Sequence, residues 1–321
     1  MAATLALVAV AGGCNAPSHG ATPADARRSP LTQAAHTSAA QESRAAKTSR
    51  AAQTAQTAPA SRAVTKLLVF VVENHSLRQM RAGMPFTAGL ARRYGHAVAY
   101  RAITHPSLPN YLAIASGSTH GVRDDSSPAI HRVRGRTVFG QALARGKTAK
   151  IYAEGMPSRC TLTDGGNRYA VRHNPWTYFV RERRACRRHD VPMTAFASDV
   201  DRGRLPNAGM VIPNLCNDAH DCSLANADSW LRARVSRVRQ GPDWRSGHLA
   251  VVITADEDDL SQGNKVLTVV MHPSQHSRVV RRPLTHYSLT RLYDDVLGAK
   301  HLRRAAGAPS MTRAFHLPTR G

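Results

Sequence analysis

Short, largely apolar runs that alternate with helix-like segments constrain this chain more than any other feature of its sequence. The runs are rich in β-branched residues and cover residues 67–72, 98–103, 150–153, 210–212, 249–254 and 266–271. Runs of this length without a polar face are typical of strands that are buried on both sides, as in a parallel sheet. Helix-like patterns cover residues 85–94, 109–115, 138–144, 230–238 and 287–297. The alternation predicts an α/β fold, a three-layer α/β/α sandwich with a mostly parallel central sheet.

The first 64 residues differ from the rest. An apolar run over residues 5–10 is followed by Cys14 and resembles a secretory leader that ends at a lipoprotein-type cysteine. Residues 15–64 are mainly Ala, Thr, Ser, Gln and Arg and predict a disordered linker. We therefore expect a leader over 1–14, a linker over 15–64 and a folded domain over 65–321. This organisation predicts a secreted or extracytoplasmic protein, tethered to the membrane if Cys14 carries lipid. An Ala-rich leader with an incidental cysteine is the alternative.

Four cysteines lie inside the predicted domain, at Cys160, Cys186, Cys216 and Cys222. An even number of cysteines in an exported protein is typical of disulfides, and four cysteines allow three pairings. Local spacing favours a Cys216–Cys222 bond, which leaves Cys160 to pair with Cys186. Zinc binding by these residues is the alternative, but no CxxC spacing supports it.

The chain is strongly basic. It has 44 Lys and Arg against 21 Asp and Glu, a formal charge of +23. Such a field attracts nucleic acid, anionic lipid headgroups or phosphorylated substrates. The arginines are scattered and aromatic residues make up only 5%, so we predict no specific nucleic-acid partner. Solubility combined with an Arg-rich codon usage would explain the charge without any partner.

Hard oxygen ligands follow two of the predicted strands. Glu73 and Asn74 come directly after the first strand, and four consecutive acids, residues 256–259, follow a later one. In α/β sheets, ligands bind beyond the carboxyl ends of the strands. Carboxylates packed this closely repel each other, and a bound divalent cation relieves that repulsion. A turn at Glu73 and a solvated acidic loop are the structural alternatives.

A serine stands at the predicted start of a helix. Pro109 suits the first helical turn, so Ser107 lies at or just before the helix N-terminus. Free backbone N–H groups and the positive end of the helix dipole favour a phosphate there. A simple N-cap serine is the alternative.

A short segment between two cysteines also carries polar groups. Asp218 and His220 lie between Cys216 and Cys222, and a small disulfide loop would hold them rigidly enough for metal binding or proton transfer. Solvated surface residues are the alternative.

In their order along the chain, these segments resemble the bacterial phosphoesterase family that contains non-haemolytic phospholipase C enzymes and secreted acid phosphatases. That family belongs to the alkaline-phosphatase-like superfamily. The compact size is similar to the mycobacterial secreted acid phosphatase branch. The resemblance covers residues 66–297 and rests on these motifs: Glu73-Asn74-His75-Ser76, His105-Pro106-Ser107-Leu108-Pro109-Asn110-Tyr111, Ser116-Gly117-Ser118, Tyr152-Ala153-Glu154-Gly155-Met156-Pro157, His173-Asn174-Pro175, Asn217-Asp218-Ala219-His220-Asp221, Asp256-Glu257-Asp258-Asp259 and His286-Tyr287-Ser288.

The resemblance implies a metal site and a nucleophile. Glu73 and Asn74 would ligate a divalent cation together with Asp256 and Glu257, and Ser107 would attack phosphorus beside it. The two-zinc members of the superfamily use more histidines at the matching motifs, whereas oxygen ligands predominate here.

The resemblance also implies supporting roles. Asn110 would hydrogen-bond a phosphoryl oxygen, and His220 would act in catalysis as the proton donor. Further candidates for catalytic or metal-binding groups are Asp218, His286 and His173.

Together these features predict a phosphoesterase catalytic domain over residues 65–321 that acts on a phosphorylated small molecule or a lipid headgroup such as a phosphoinositide. An acid-phosphatase-type phosphomonoesterase is the leading hypothesis. A phospholipase C-type phosphodiesterase and a non-catalytic polyanion-binding protein are the alternatives. At least one divalent cation is the expected cofactor, and we expect no obligate protein partner.

Overall fold

The computed structural model describes residues 62–319. The predicted leader, Cys14 and residues 15–61 of the predicted linker lie outside these residues. Val64 is buried and bridges Thr319, so the packed chain already includes the end of the predicted linker. No helix in the described part of the chain is long and apolar enough to cross a bilayer.

The strands in the described residues build one large sheet and one small one. In chain order they are β1 Lys66–Val72, β2 Gly95–Ala97, β3 Tyr100–Arg101, β4 Ala149–Ala153, β5 Asp190–Pro192, β6 Ala208–Ile212, β7 Leu249–Ala255, β8 Thr268–Met271, β9 Arg278–Val280 and β10 Leu284–Thr285. The large sheet has the order β5-β4-β6-β1-β7-β8-β2-β9, and β10 pairs with β3 in the small one.

Helices occupy the connections. The α-helices are α1 Leu77–Gly83, α2 Pro85–Arg93, α3 Ser107–Ser116, α4 Val138–Ala144, α5 Arg183–His189, α6 Phe196–Asp201, α7 Leu224–Gln240, α8 Pro242–Arg245, α9 His286–Leu297 and α10 Met311–Phe315. Short 3₁₀ helices cover Val171–His173, Pro175–Tyr178, Val180–Glu182, Met193–Ala195 and Arg303–Gly307.

The predicted fold class is confirmed. Strand β1 is buried along nearly its whole length between parallel neighbours β6 and β7, and every residue of β7 is buried. Helices α3, α4 and α9 contact one another, and helices α2, α7 and α8 belong to a second connected group. Because both faces of the apolar strands are covered, their sequences lack a polar face. The sheet is mixed at one end, where β8 runs antiparallel to β7 and β2.

One predicted strand is wrong in extent and position. We expected residues 98–103 to form a buried strand of the main sheet. Only Tyr100–Arg101 is a strand, and it pairs with Leu284–Thr285 outside that sheet. Arg101 is exposed, so this run has one solvated side despite its apolar composition. The other predicted strands and the predicted helices are present, with ends that differ by a few residues.

Candidate active site

The register of the central strands brings distant acids to one edge of the sheet. Val72 of β1 is aligned with Ala255 of β7, so the next residues, Glu73 and Asp256, follow neighbouring strand ends. The backbone N–H of Asp256 donates to the Val72 carbonyl at 3.0 Å, and that of Glu73 donates to the Asp218 carbonyl at 2.8 Å. The loop after β6 is thereby fastened to the end of β1. Glu73, Asp218 and Asp256 come from three separate segments and meet here. The position of Glu73 and Asp256 after strand ends had predicted this for those two acids.

Ser107 is the first residue of α3, and its side chain points at the acids. The N-cap is Pro106, which makes no side-chain capping bond, so Ser107 is not a simple cap. Its Oγ donates to Glu73 Oε2 at 3.0 Å. One helical turn later the Tyr111 hydroxyl donates to Glu73 Oε1. Helix α3 therefore presents two hydroxyls to one buried carboxylate.

His173 fills the space between two of the acids. Its Nε2 lies 3.4 Å from Glu73 Oε1 and its Nδ1 lies 3.3 Å from Asp218 Oδ2. The ring stacks on Tyr111 with centroids 5.1 Å apart. One ligand atom each from Glu73, His173 and Asp218 lies within 4.8 Å of the others, a spacing that a metal ion could bridge. The structure thus brings together Glu73 and two of the further candidates.

Several buried polar atoms at this edge have no hydrogen-bond partner. They are Asn74 Oδ1, His173 Nε2, Asp218 Oδ2 and Asp256 Oδ2. Asn74 has a positive φ of 52°, and its N–H donates to Asp256 Oδ1 at 3.1 Å. Buried groups without a partner are rare and costly, and oxygen-rich groups of this kind are the ligands of hard divalent cations. The donor set therefore fits a divalent cation.

The acids of the site carry more negative charge than their surroundings offset. Burial first, and then the charges of Asp256 and Asp218, raise the pKa of Glu73 well above its usual range. Burial is also the main cause that raises the pKa of Asp218 and of Asp256 to about 7. Burial lowers the pKa of His173 well below its usual value, so this ring is neutral and adds no compensating charge. A bound cation would favour the ionised carboxylates.

Asn110 holds the loop that leads into α3. Its Oδ1 accepts from the backbone N–H of Ile103 at 2.9 Å and of Thr104 at 3.2 Å. Its amide donates to the Thr104 carbonyl at 2.8 Å and to Glu257 Oε2 at 3.0 Å. Because these bonds use both ends of the side chain, Asn110 positions the approach to Ser107 in this structure, and its predicted contact with a phosphoryl oxygen stays a prediction.

Both carboxylate oxygens of Glu257 are engaged. Oε2 accepts from Asn110, and Oε1 lies 3.2 Å from His105 Nδ1. The other nitrogen of His105 lies 3.3 Å from Asp258 Oδ1. Burial first, and then the charge of Asp256, raise the pKa of Glu257 to about 9. Asp256 thus offers an oxygen without a partner, whereas both oxygens of Glu257, like those of Glu73, already have partners.

His220 lies at the mouth of the site. Its ring is 6.1 Å from that of His173, and its side chain is 32% exposed. Nδ1 lies 2.7 Å from Asp221 Oδ1, and Nε2 lies 3.2 Å from the Arg172 guanidinium. The backbone N–H of His220 donates to Asp218 Oδ1 at 2.8 Å. A half-exposed, oriented imidazole of this kind is suited to proton transfer.

His286 has no ring nitrogen free for a metal. Its Nε2 donates to the Asp256 carbonyl at 2.6 Å, and its Nδ1 accepts from the Tyr100 hydroxyl at 3.0 Å. Burial lowers its pKa to about 4, so the ring is neutral. In this structure His286 supports the backbone of Asp256, and its predicted catalytic or metal-binding role stays a prediction.

Four residues near Ser107 were missed as site residues. They are Tyr111, His105, Asp125 and Arg172. Tyr111 and His105 belong to the motif around Ser107, and helical spacing places Tyr111 on the face of Ser107, so the sequence held a signal for them. Asp125 Oδ1 accepts from the backbone N–H of Leu108 at 2.8 Å, and its Oδ2 lies 4.0 Å from Arg172 Nε. The predicted free N–H groups at this helix start are therefore partly occupied.

The disulfides have the predicted pairing. Cys216 is bonded to Cys222, and Cys160 to Cys186. Cys160 and Cys186 lie close to Asp190, but their sulfurs are used by the disulfide and cannot bind a metal ion as thiolates.

The chain matches the Phosphoesterase family over residues 70–296. A phosphatidylinositol-3-phosphatase of Mycobacterium tuberculosis is 29% identical over 258 residues, which cover 79% of this chain and 84% of that protein. A phosphate-repressible acid phosphatase of Penicillium chrysogenum is 31% identical over 181 residues, which cover 54% of this chain and 43% of that protein.

Solved structures share the fold at low sequence identity. A protein in the alkaline phosphatase superfamily from Vibrio parahaemolyticus has a TM-score of 0.51 and 10% identity over 75% of this chain and 68% of that one. The PsFucS1 sulfatase from Pseudoalteromonas sp. has a TM-score of 0.52 and 9% identity over 88% of this chain and 76% of that one. These likenesses show the fold alone, which is that of the alkaline phosphatase superfamily.

Proposed function

The chain belongs to the Phosphoesterase family, and on that basis we propose that it is a metal-dependent phosphomonoesterase that attacks phosphorus with Ser107. Its reaction class is the hydrolysis of phosphoric esters. The finer proposal depends on one observation, the 3.0 Å hydrogen bond from Ser107 Oγ to Glu73 Oε2 beside buried acceptors that lack a partner. A serine hydroxyl beside an oxygen-rich cation site is suited to phosphoryl transfer.

The chain's own residues supply the activation of the nucleophile. Ser107 Oγ already donates to Glu73, so the hydroxyl proton has a carboxylate acceptor when Glu73 is ionised. Tyr111 fixes the other oxygen of Glu73 and so orients the acceptor. Asn74, Asp256 and Glu73 would hold a divalent cation, which supplies positive charge that favours the serine alkoxide and offsets the charge of the phosphoryl group. Attack by Ser107 then forms a phosphoserine, which water hydrolyses.

Asp125 stands where a phosphoryl oxygen would bind. It accepts from the Leu108 N–H and lies beside Arg172, and both are donors that suit a phosphate at a helix start. We assign to Leu108 N–H and Arg172 the binding of phosphoryl oxygens, with Asp125 displaced when substrate enters. The like charges of carboxylate and phosphate favour that displacement.

His220 is the proposed proton donor for the leaving alcohol. It lies at the exposed side of the site, where the alcohol would depart, and Asp221 holds its Nδ1. An imidazole oriented in this way can give a proton to the leaving oxygen from its other ring nitrogen.

The substrate class we propose is a phosphorylated small molecule or a lipid headgroup, including phosphoinositides. The name of the mycobacterial relative, which matches over 84% of its own length, supports this class.

We also propose that the protein acts outside the cytoplasm. The two disulfides support this proposal, because such bonds persist in oxidising compartments.

A substrate panel tests the proposed function. p-Nitrophenyl phosphate, bis-p-nitrophenyl phosphate and p-nitrophenyl phosphorylcholine are each assayed with and without EDTA. We expect the monoester to be hydrolysed fastest, with loss of activity in EDTA and recovery on addition of a divalent cation. Faster hydrolysis of either diester would assign the protein as a phospholipase C-type phosphodiesterase. If none of the substrates is hydrolysed with any divalent cation, a non-catalytic polyanion-binding protein would be the remaining hypothesis.

A further inference from the structure

A second concave surface lies apart from the candidate active site. It has a volume of about 890 Å³, within the range of small-ligand sites. We call it the arginine groove after the six arginines that line it: Arg134, Arg136, Arg181, Arg184, Arg188 and Arg303. None of the residues assigned to catalysis or to the cation lines it.

The basic residues of the groove come from separate parts of the chain. Arg134 and Arg136 precede α4, and Arg303 belongs to a 3₁₀ helix near the C-terminus. Arg184 and Arg188 lie one turn apart on the same face of α5. Cys186 faces the core from this helix and is tied to Cys160, so α5 is fixed in place. The fold therefore brings these arginines together from several segments, and no single charged helix supplies all of them.

The guanidinium groups of this groove are not neutralised by carboxylates. In residues 62–319 the arginine ion pairs are made elsewhere, by Arg172, Arg204, Arg234 and Arg237. Crowding of positive charge is evident at His189, whose pKa is lowered by burial first and then by nearby basic residues that include Arg188. Arg303 already donates from Nη1 to the Ser116 and Arg136 carbonyls. The guanidinium groups of the other five arginines have no carboxylate partner among the described residues and can bind phosphate, often through two hydrogen bonds at once.

The acid among the lining residues is already occupied. Glu182 accepts from the N–H of Thr137 at 3.0 Å, from its hydroxyl at 2.6 Å and from Trp176 Nε1 at 2.8 Å. Its carboxylate presses against α4 so closely that a Cβ at Gly140 would lie 2.0 Å from Oε1. Glu182 thus caps α4 and does not pair with the arginines.

Helix α3 separates the groove from the active site. Ser107 begins this ten-residue helix and Ser116 ends it, and the Ser116 carbonyl accepts from Arg303 Nη1 at 2.9 Å. At a rise of about 1.5 Å per residue the helix spans about 14 Å between these ends. A phosphoryl group bound at Ser107 would therefore not reach the groove.

We propose that the arginine groove is a second binding site, for a small ligand that carries several phosphate groups. The size of the cavity suits a discrete molecule, and its charge suits a polyanion. Leu143 and Ala185 also line it and give an aliphatic floor for the body of such a ligand. The lining residues include no Phe, Tyr or Trp on which nucleic-acid bases could stack, which argues against single-stranded nucleic acid as the ligand. This inference does not depend on the proposed function.

Calorimetric titration with inorganic tripolyphosphate tests the site. The full chain carries Ser107→Ala to prevent turnover, and EDTA is present so that no cation bridges the probe to the acids. The groove variant combines Arg134→Gln, Arg184→Gln and Arg188→Gln. The matched control combines Arg78→Gln, Arg92→Gln and Arg281→Gln, which are exposed and outside the groove. We expect the Kd to rise by at least about tenfold in the groove variant and by less than about threefold in the control.

Three outcomes would overturn the proposal. The first is no measurable binding by the unsubstituted groove, and the second is equal weakening in both variants. The third is loss of the cooperative melting transition in the groove variant, together with unchanged affinity in three further variants that each carry one of its substitutions. A second arm uses phosphatidylcholine vesicles that contain phosphatidylinositol 4-phosphate. If the ligand is a lipid headgroup, the vesicles should bind and tripolyphosphate should compete. Vesicle binding that tripolyphosphate does not compete would identify a membrane-docking face instead.

Discussion

Glu73 is the residue on which the candidate site depends, because its two oxygens meet three side chains from two other segments. Oε2 accepts from Ser107, and Oε1 accepts from Tyr111 and lies 3.4 Å from His173. The side chain is fully buried, so any change in its charge is felt by all of these neighbours. Removing the hydroxyl of Ser107 or that of Tyr111 in separate variants therefore distinguishes the proposed nucleophile from a group that only orients the Glu73 carboxylate.

The first prediction compares the two hydroxyls on Glu73. Ser107→Ala should lower kcat by at least about a thousandfold, because it removes the atom that attacks phosphorus. Tyr111→Phe removes the other hydroxyl and should lower kcat by about ten- to a hundredfold, since it loses one buried hydrogen bond to a charged group. Steady-state kinetics with p-nitrophenyl phosphate measures both. Equal losses in the two variants would remove the assignment of Ser107 as nucleophile.

The second prediction concerns the acidic run after β7. Asp256 is buried with one oxygen unpaired, whereas Asp259 is exposed and bonds Ser261. Asp256→Asn should raise the cation concentration needed for half-maximal activity by at least about tenfold, because it removes a charged ligand. Asp259→Asn should change that concentration by less than about threefold. Titration of the metal-free variants with a divalent cation, followed by activity, measures this. A larger effect of Asp259→Asn than of Asp256→Asn would contradict a cation site at the carboxyl edge of the sheet.

At the scale of the elements, buried strands explain which parts of the site were predictable. Glu73 and Asp256 follow strands that can be predicted from their apolar sequences. Because ligands bind at the carboxyl ends of such strands, the sequence alone predicts that these two acids lie close together. Asp125 comes from a loop and Arg172 from a short 3₁₀ helix. The positions of both depend on packing against α3, and no local pattern marks them. The motif of His286 marks a helix start near the site, but the motif does not show that the ring bonds the Asp256 carbonyl and Tyr100 in this structure. Tertiary hydrogen bonding decides such roles.

The third prediction compares the two disulfides. Cys216 and Cys222 are 6 residues apart and enclose Asp218 and His220, whereas Cys160 and Cys186 are 26 apart and fix α5. Closing the longer loop should stabilise the fold by about 1 kcal/mol more. We therefore expect Cys160→Ser with Cys186→Ser to lower the melting temperature more, and Cys216→Ser with Cys222→Ser to lower activity more. Activity measured below both melting temperatures checks this, and the reverse order for activity would exclude a role for the small loop in the site.

At the scale of the whole molecule, a basic protein encloses a strongly acidic centre. The formal charge is +23, yet Glu73 and Asp256 beside Ser107 are buried carboxylates whose pKa values burial raises, and neither pairs with a Lys or Arg of the described residues. The positive exterior attracts phosphorylated ligands, and under the proposed function a cation would offset the charge of the carboxylates before such a ligand approaches them. Metal, stability and pH should therefore be linked.

The fourth prediction is that the stability of the protein depends on both pH and bound cation. Asp218 and Asp256 each have a pKa raised to about 7 in the metal-free fold, so the native state holds protons that the unfolded chain has lost near pH 4. The stability of the metal-free protein should fall as the pH rises from about 4 to about 7. A divalent cation should raise the melting temperature more at about pH 7 than at about pH 5, because protons compete with it for the carboxylates. Melting curves with EDTA and with added cation measure this, and a cation effect independent of pH would argue against a carboxylate site.

The central claim is that phosphate is transferred to Ser107, and trapping the covalent intermediate tests it most directly. The metal-loaded protein is mixed with phosphorus-32-labelled p-nitrophenyl phosphate, quenched in acid during turnover, digested and mapped, with Ser107→Ala in parallel. We predict acid-stable label on the peptide that contains Ser107, as phosphoserine, and none in the variant. Label on another residue, or active turnover by Ser107→Ala at the wild-type rate, would contradict this account.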